Sequence, residues 1–353
     1  MHDTAAAITD LKSRLGSRVC IMGHHYQNDA VVRHCDITGD SLELARRVPD
    51  ITADHIVFCG VFFMGESAAL LAKTGQQVHL PAPDADCAMS LMSPAESARA
   101  VLRQLHDGGR RVIPVAYVNT TLALKAVVGE FGGTVCTSAN ARTVMRWALD
   151  QGQGVLFLPD RHLGRNVGKQ LGLGPDDWHL LELGPDGLSP AEKDPAHRLW
   201  KAPLLLWPGC CPIHDHLTVE QVAAARAAHP GCLVMAHPEC SPEVIDLCDG
   251  AGSTSFLIGE AARLAAEKPG STLIVGTETN LVDRLGQRHA GSCTVLPLGP
   301  AICPDMGKVT EENLLTTLQA IEAGTAKPLV VDPALCPPAR QTLTRMLDIC
   351  AAS

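Results

Sequence analysis

The sequence predicts an α/β protein made of several short parallel sheets with helical crossovers, and two observations carry that expectation. Short apolar runs at 18–22, 55–58, 112–118, 154–158, 204–207, 232–236 and 272–276 alternate with longer helical patterns. That alternation is the mark of strands joined by crossover helices. Several runs also end in small polar clusters: Gly23-His24-His25-Tyr26, Tyr117-Val118-Asn119-Thr120, Cys136-Thr137-Ser138 and His237-Pro238-Glu239. In open α/β sheets ligands bind at the carboxyl ends of strands, so these clusters are placed to face a site.

Taken in order, residues 1–16 read as a short polar helix with neither a basic start nor an apolar core. A strand, a polar turn and a helix then recur weakly along the chain, and three related α/β lobes fit that recurrence. Residues 172–201 interrupt it with Gly, Pro and charged residues, the pattern of a surface insertion. Two amphipathic patterns, 311–323 and 337–351, end the chain as bracing helices.

At 353 residues the chain exceeds what one hydrophobic core usually organises, and its 46% hydrophobic share suffices for two or three. The formal net charge is -9, and the 29 Lys and Arg are scattered rather than clustered. This argues against nucleic acid or an anionic membrane as partner and favours a small-molecule substrate. No stretch approaches the length of a membrane-spanning helix, so a cytoplasmic location is expected.

Fourteen cysteines without an export signal point to metal or redox chemistry rather than a disulfide framework. Cys20, Cys59 and Cys232 lie in apolar runs and read as small core residues. Cys87, Cys211 and Cys303 lie beside turn-forming residues in loops or at helix starts, where backbone N–H groups stabilise a thiolate and lower its pKa. Soft thiolates select zinc, copper or iron–sulfur clusters. No CxxC pair is present, so spacing alone identifies neither a zinc ribbon nor a ferredoxin pattern, and Cys210 competes with Cys211.

Among the 15 histidines, His24 near Tyr26 and His237 near Glu239 have acid–base partners within one turn. Ser41 reads either as the N-cap of the helical run that follows or as a ligand. Ser253-Thr254-Ser255 reads as a helix cap or as an anion-binding turn.

Together these segments resemble the quinolinate synthase family over most of the chain. The ordered matches include His24-His25-Tyr26-Gln27, Gly39-Asp40-Ser41-Leu42-Glu43, Phe63-Met64-Gly65-Glu66-Ser67, Cys136-Thr137-Ser138-Ala139-Asn140, Leu158-Pro159-Asp160, Gly209-Cys210-Cys211-Pro212-Ile213-His214, His237-Pro238-Glu239-Cys240, Gly276-Thr277-Glu278 and Cys303-Pro304-Asp305-Met306. The resemblance implies three similar α/β lobes in pseudo-threefold arrangement around a central cluster. The lobes would span 1–93 with Cys87, 94–205 with the insertion at about 172–201, and 206–305 with Cys211 near its start and Cys303 at its end; helices at 306–353 would brace them. It also implies one 4Fe-4S cluster per chain on Cys87, Cys211 and Cys303, with one iron open as a Lewis acid. Cys211 takes the second place because the family's cysteine stands three positions before its histidine, here His214.

The implied reaction condenses iminosuccinate with dihydroxyacetone phosphate to quinolinate in NAD biosynthesis, coupled functionally to L-aspartate oxidase. The implied substrate-binding residues are His24, Ser41, Tyr117, Asn119, Ser138, His237, Glu239 and Thr254, and Tyr26, Tyr117, His237 and Glu239 are the candidates for proton movement or orientation. A dicarboxylate needs many donors, because leaving its charges unpaired in a closed cavity costs several kcal/mol, and these side chains supply them. Residues 127–134, with Gly129, Gly132 and Gly133, run longer than the family pattern. Some relatives carry a CxxC near the third ligand, whereas this chain has only Cys293 upstream, so a thiol–disulfide switch of that design is not expected. Two other readings use the same cysteines: an aconitase-like hydro-lyase, and a non-catalytic metal-binding sensor.

Overall fold

The runs rich in Leu, Val and Ile become strands buried on both faces, as parallel sheets flanked by helices require. The structure, a computed structural model, describes residues 3–152 and 154–351. The chain forms two units. The first comprises the chain up to Cys87 with Glu220–Met235 and Thr254–Val331, and the second comprises Ala88–Val219, Ala236–Ser253 and the chain from Asp332.

The first unit opens with a helix, Thr4–Leu15, capped by the Asp3 carboxylate and burying Ile8, Leu11 and Leu15. Four strands follow: β1 (Val19–His24), β2 (Ile37–Gly39), β3 (His55–Cys59) and β4 (Gln77–His79). They make a parallel sheet of order β2-β1-β3-β4. The helix after β2, Ser41–Arg47, starts in a capping box in which Asp40 accepts from the backbone and Glu43 reaches back. Asp40 is therefore the cap, and Ser41 is the first helical residue.

The second unit contains β5 (Ile113–Tyr117), β6 (Thr134–Cys136), β7 (Val155–Leu158), β8 (Trp178–Leu180) and β11 (Leu204–Leu206), in a five-stranded sheet of order β6-β5-β7-β11-β8. Its pairings are parallel, while β9 (Leu183–Gly184) and β10 (Gly187–Leu188) form a separate antiparallel hairpin. Residues 172–201 are thus more than a surface insertion, because they contribute the edge strand β8 to the main sheet.

Helix Leu122–Glu130 packs against helix Cys336–Ala351, and the Thr134 hydroxyl donates to the Thr342 carbonyl at 3.0 Å. Contact between these helices is close enough that a Cβ on Gly129 would lie 2.2 Å from the Pro338 carbonyl oxygen. At the end of this segment Gly132 takes φ +73°, a backbone conformation that glycine adopts without penalty.

The chain returns to the first unit and leaves it again at the end of β12 (Leu233–Ala236), passing through β13 (Gly250–Ala251) in the second. Back in the first unit, β14 (Thr272–Gly276) and β15 (Thr294–Pro297) are parallel, and β12, β14 and β15 are neighbours in that order. Leu257, Leu264, Leu273, Val275, Leu281 and Leu285 form their core with helices Thr254–Glu267 and Thr279–Arg288. No helix of the described residues is long and apolar enough to cross a membrane.

Gly129→Ala tests the packing of the two helices in the second unit. In an exposed helix the change would stabilise by about 1 kcal/mol. Here the added methyl meets a carbonyl, so urea denaturation should instead show a loss of about 1–3 kcal/mol.

Candidate active site

In the second unit the functional side chains stand at the carboxyl ends of parallel strands. Tyr117 ends β5, Asp160 follows β7, Cys211 follows β11, and His237 and Glu239 follow β12. Asp160 fixes the geometry from beneath. It caps helix Arg161–Gln170 by accepting the His162 and Leu163 N–H groups at 2.8 and 2.9 Å, and its other oxygen accepts the Cys211 N–H at 3.2 Å. From the same helix, Asn166 donates to the carbonyls of Pro238 and Cys240, both at 2.9 Å. One helix therefore sets both the cysteine loop and the turn that carries Glu239.

Glu239 is buried, and its Oε2 lies 2.7 Å from His214 Nδ1 and 3.5 Å from His237 Nδ1. The two imidazoles stack with centroids 4.8 Å apart. Burial works to raise the Glu239 pKa, but the two histidines and the Tyr117 phenol outweigh it and bring the group down to about 2. Burial pushes Asp160 the other way, well above the usual carboxylate range, with the Glu239 charge adding to the rise. The second Glu239 oxygen, Oε1, is buried with no hydrogen-bond partner among the described residues.

Cys211 caps the short helix Pro212–Asp215, and its Sγ lies 3.3 Å from His214 Nδ1. Cys211, His214 and Glu239 offer ligand atoms within 4.8 Å of one another. Asn119 is half-buried after β5, with a buried Oδ1 that lacks a hydrogen-bond partner. Ser138 lies half-buried in the turn after β6, the strand that pairs with β5.

A second cluster belongs to the first unit. His24 ends β1, its Nδ1 accepts the Tyr26 N–H at 3.1 Å, and its ring meets Tyr26 edge-on at 4.7 Å. The Tyr26 hydroxyl is bracketed by Thr277 Oγ1 at 2.8 Å and Thr254 Oγ1 at 3.4 Å. Ser255 donates to Asp40 at 2.7 Å, which ties the start of helix Thr254–Glu267 to the start of the helix carrying Ser41. Arg284 donates to the carbonyls of His25 and Gln27 and pins the loop holding Tyr26.

Cys87, at the start of helix Ala88–Leu91, and Cys303 both pack against the first unit's core. The Cys303 N–H points to Glu278 Oε1 at 3.4 Å, and burial raises Glu278 to about 7. The N–H groups of Asp305 and Met306 lower the Cys303 thiol pKa as the sequence suggests, but burial dominates and the net direction is up. None of the fourteen cysteines is in a disulfide.

The structure thus gathers Tyr117, His237 and Glu239 around His214 and Cys211, and His24, Thr254 and Thr277 around Tyr26. Sequence reasoning assigned no role to His214, Asp160, Glu278 or Lys125. The first three lie inside motifs that were recognised, but their partners are distant in sequence. Lys125 is fully buried and donates to the Thr120 carbonyl; its signal was a lone cation in the otherwise apolar run 122–128.

A charged carboxylate held in the interior by imidazoles and a phenol at strand ends is the equipment of an α/β enzyme, because mere stability is better served by apolar packing. The sequence profile of the quinolinate synthetase A protein family (NadA) matches residues 6–348. A quinolinate synthase from Corynebacterium glutamicum is 44% identical over 302 residues, 84% of this chain and 74% of the relative. Those of Geobacillus kaustophilus and Streptomyces coelicolor are each 41% identical, over 83% and 82% of this chain and 78% and 72% of their own. The chain belongs to the quinolinate synthetase A family, a family of enzymes.

A double-mutant cycle tests the carboxylate clamp. Glu239→Gln and His214→Asn, alone and together, should show a coupling of at least about 1 kcal/mol in urea denaturation. Additive losses would mean that the two groups do not share a buried charge.

Proposed function

We propose that this chain condenses iminosuccinate with dihydroxyacetone phosphate to give quinolinate, phosphate and water in the de novo synthesis of NAD. The observation that carries the reading is Glu239, an ionised buried carboxylate between two imidazoles, beside a cysteine that the family pattern assigns to metal. The relatives' name supports the product.

The family pattern assigns the cluster to Cys87, Cys211 and Cys303, and the chemistry of three unbridged thiols suits it. No cysteine is locked in a disulfide, and the N–H groups of Asp305 and Met306 favour the thiolate of Cys303. A thiol raised by burial gains most from a cation, which removes the cost of its charge. When bound, a 4Fe-4S cluster with one iron lacking a protein ligand supplies a Lewis acid for hydroxyl and carboxylate oxygens.

The protein's own part is recognition and proton movement. His24, Ser41, Tyr117, Asn119, Ser138, His237 and Thr254 supply hydrogen bonds to the dicarboxylate. Glu239, ionised at neutral pH, offers Oε1, which has no hydrogen-bond partner among the described residues, as an acceptor for the donors of bound intermediates, while Oε2 lies against His214 and His237, and His237 is the group that moves protons. Tyr26, fixed between two threonine hydroxyls, is a neutral donor that orients intermediates. The labile imine requires an amino-acid oxidase as its source, here an L-aspartate oxidase, and both activities then belong in the cytoplasm.

Anaerobic purification with iron and sulfide counts, followed by an assay of quinolinate formation, tests this reading. Cys87→Ser, Cys211→Ser and Cys303→Ser should each lose cluster iron and activity, while Cys210→Ser keeps both. An active, iron-replete Cys211→Ser protein would overturn the ligand set.

A further inference from the structure

Residues 172–201 play no part in the reaction derived above, yet they enclose a buried carboxylate. Glu192 has 0% of its surface exposed. It sits in the turn after the β9–β10 hairpin, where its N–H donates to the Ser189 carbonyl at 3.1 Å. Oε1 is occupied twice, lying 2.5 Å from His179 Nε2 and accepting the Glu182 N–H at 2.9 Å. Oε2 is buried with no partner, and among the described residues no Lys or Arg pairs with the group. A carboxylate removed from water costs several kcal/mol unless each oxygen finds a counter-charge or donor. Half of this one finds neither.

A second imidazole stands beside it. His197 packs edge-on against His179 with centroids 5.0 Å apart, and its Nδ1 accepts the Leu199 N–H at 3.3 Å, a long bond that opens on ligation so that Nδ1 binds the ion or takes up the hydrogen that Nε2 gives up. His179, Glu192 and His197 offer ligand atoms that all lie within 4.8 Å of one another. Two imidazoles and a carboxylate are the donor set of first-row divalent ions, zinc above all. Metal–ligand bonds of about 2.0–2.2 Å place donors about 3.3 Å apart in a tetrahedron, so an ion would separate His179 from Glu192 slightly and draw His197 in.

The geometry points to a divalent transition-metal site, of zinc type, on His179, Glu192 and His197, with water as a fourth ligand. The hydrogen now between His179 Nε2 and Glu192 Oε1 moves to Nδ1 or to solvent, and the ion takes its place. His179 lies in edge strand β8, Glu192 after the hairpin and His197 at the cap of the turn Arg198–Trp200, so one ion ties three parts of residues 172–201 to the main sheet. The Trp200 indole N–H, donating to the Glu192 carbonyl at 3.1 Å, holds the carboxylate's own backbone.

Cobalt(II) added to the purified, cluster-loaded full chain is the probe, and zinc the competitor. The site should bind one cobalt with visible absorption characteristic of nitrogen and oxygen ligands, without the near-ultraviolet thiolate band that binding to cysteine adds, and zinc should displace it. His197→Ala, at a half-buried position that keeps the fold, should weaken binding by about 100-fold or more; His179→Asn should do the same in a second background. The proposal fails if no such spectrum develops, if cobalt shows only the thiolate band, or if both variants bind as the unaltered chain does. In that case His179 and Glu192 are a hydrogen-bonded pair and nothing more.

Discussion

The second unit's site depends on keeping one negative charge in the interior. Glu239 sits where burial alone would neutralise it, and two stacked imidazoles with a tyrosine hydroxyl hold it ionised. That requirement explains the surrounding architecture. Asn166 grips the carbonyls on either side of Glu239, while Asp160, at the head of the same helix, takes the Cys211 amide. A shift of this helix would move the carboxylate and the cysteine together. The proposed metal ligand and the buried carboxylate are thus held in fixed relation by hydrogen bonds to the backbone.

The same principle governs the first unit with different chemistry. There the anchoring group is a phenol, Tyr26, seated between two threonine hydroxyls, and an arginine secures its loop through two carbonyls. In both units parallel strands deliver polar residues to their carboxyl ends, and the first turn of the next element locks them. Short strands suffice because the residues that matter begin where the strand stops.

Much of this was legible in the sequence, for physical reasons. All seven apolar runs contain strands, because parallel strands buried on both faces must be continuously apolar. Short strands such as β2, β4 and β15 escaped, since three or four residues carry little period, and Thr38, Gln77 and Thr294 dilute their apolar character. Strand β8 was read as part of an insertion because the Gly, Pro and charged residues around it masked a half-buried edge strand. Candidate site residues at strand ends were proposed through motif and resemblance. The links among them were not, because His214 and Glu239 are 25 positions apart and only the fold brings them to 2.7 Å. Nor could the sequence show that burial outweighs backbone N–H groups at Cys303, since that balance depends on the packing around the sulfur.

The proposal that carries most weight is that three cysteine thiolates hold a cluster with one iron available to substrate. The Mössbauer spectrum of the anaerobically purified protein, recorded with and without a non-reactive dicarboxylate analogue of iminosuccinate, tests it most directly. One iron, about a quarter of the absorption of a four-iron cluster, should change on addition while the rest stays fixed. A four-iron spectrum that the dicarboxylate leaves untouched, with the analogue shown to be bound, would contradict the account.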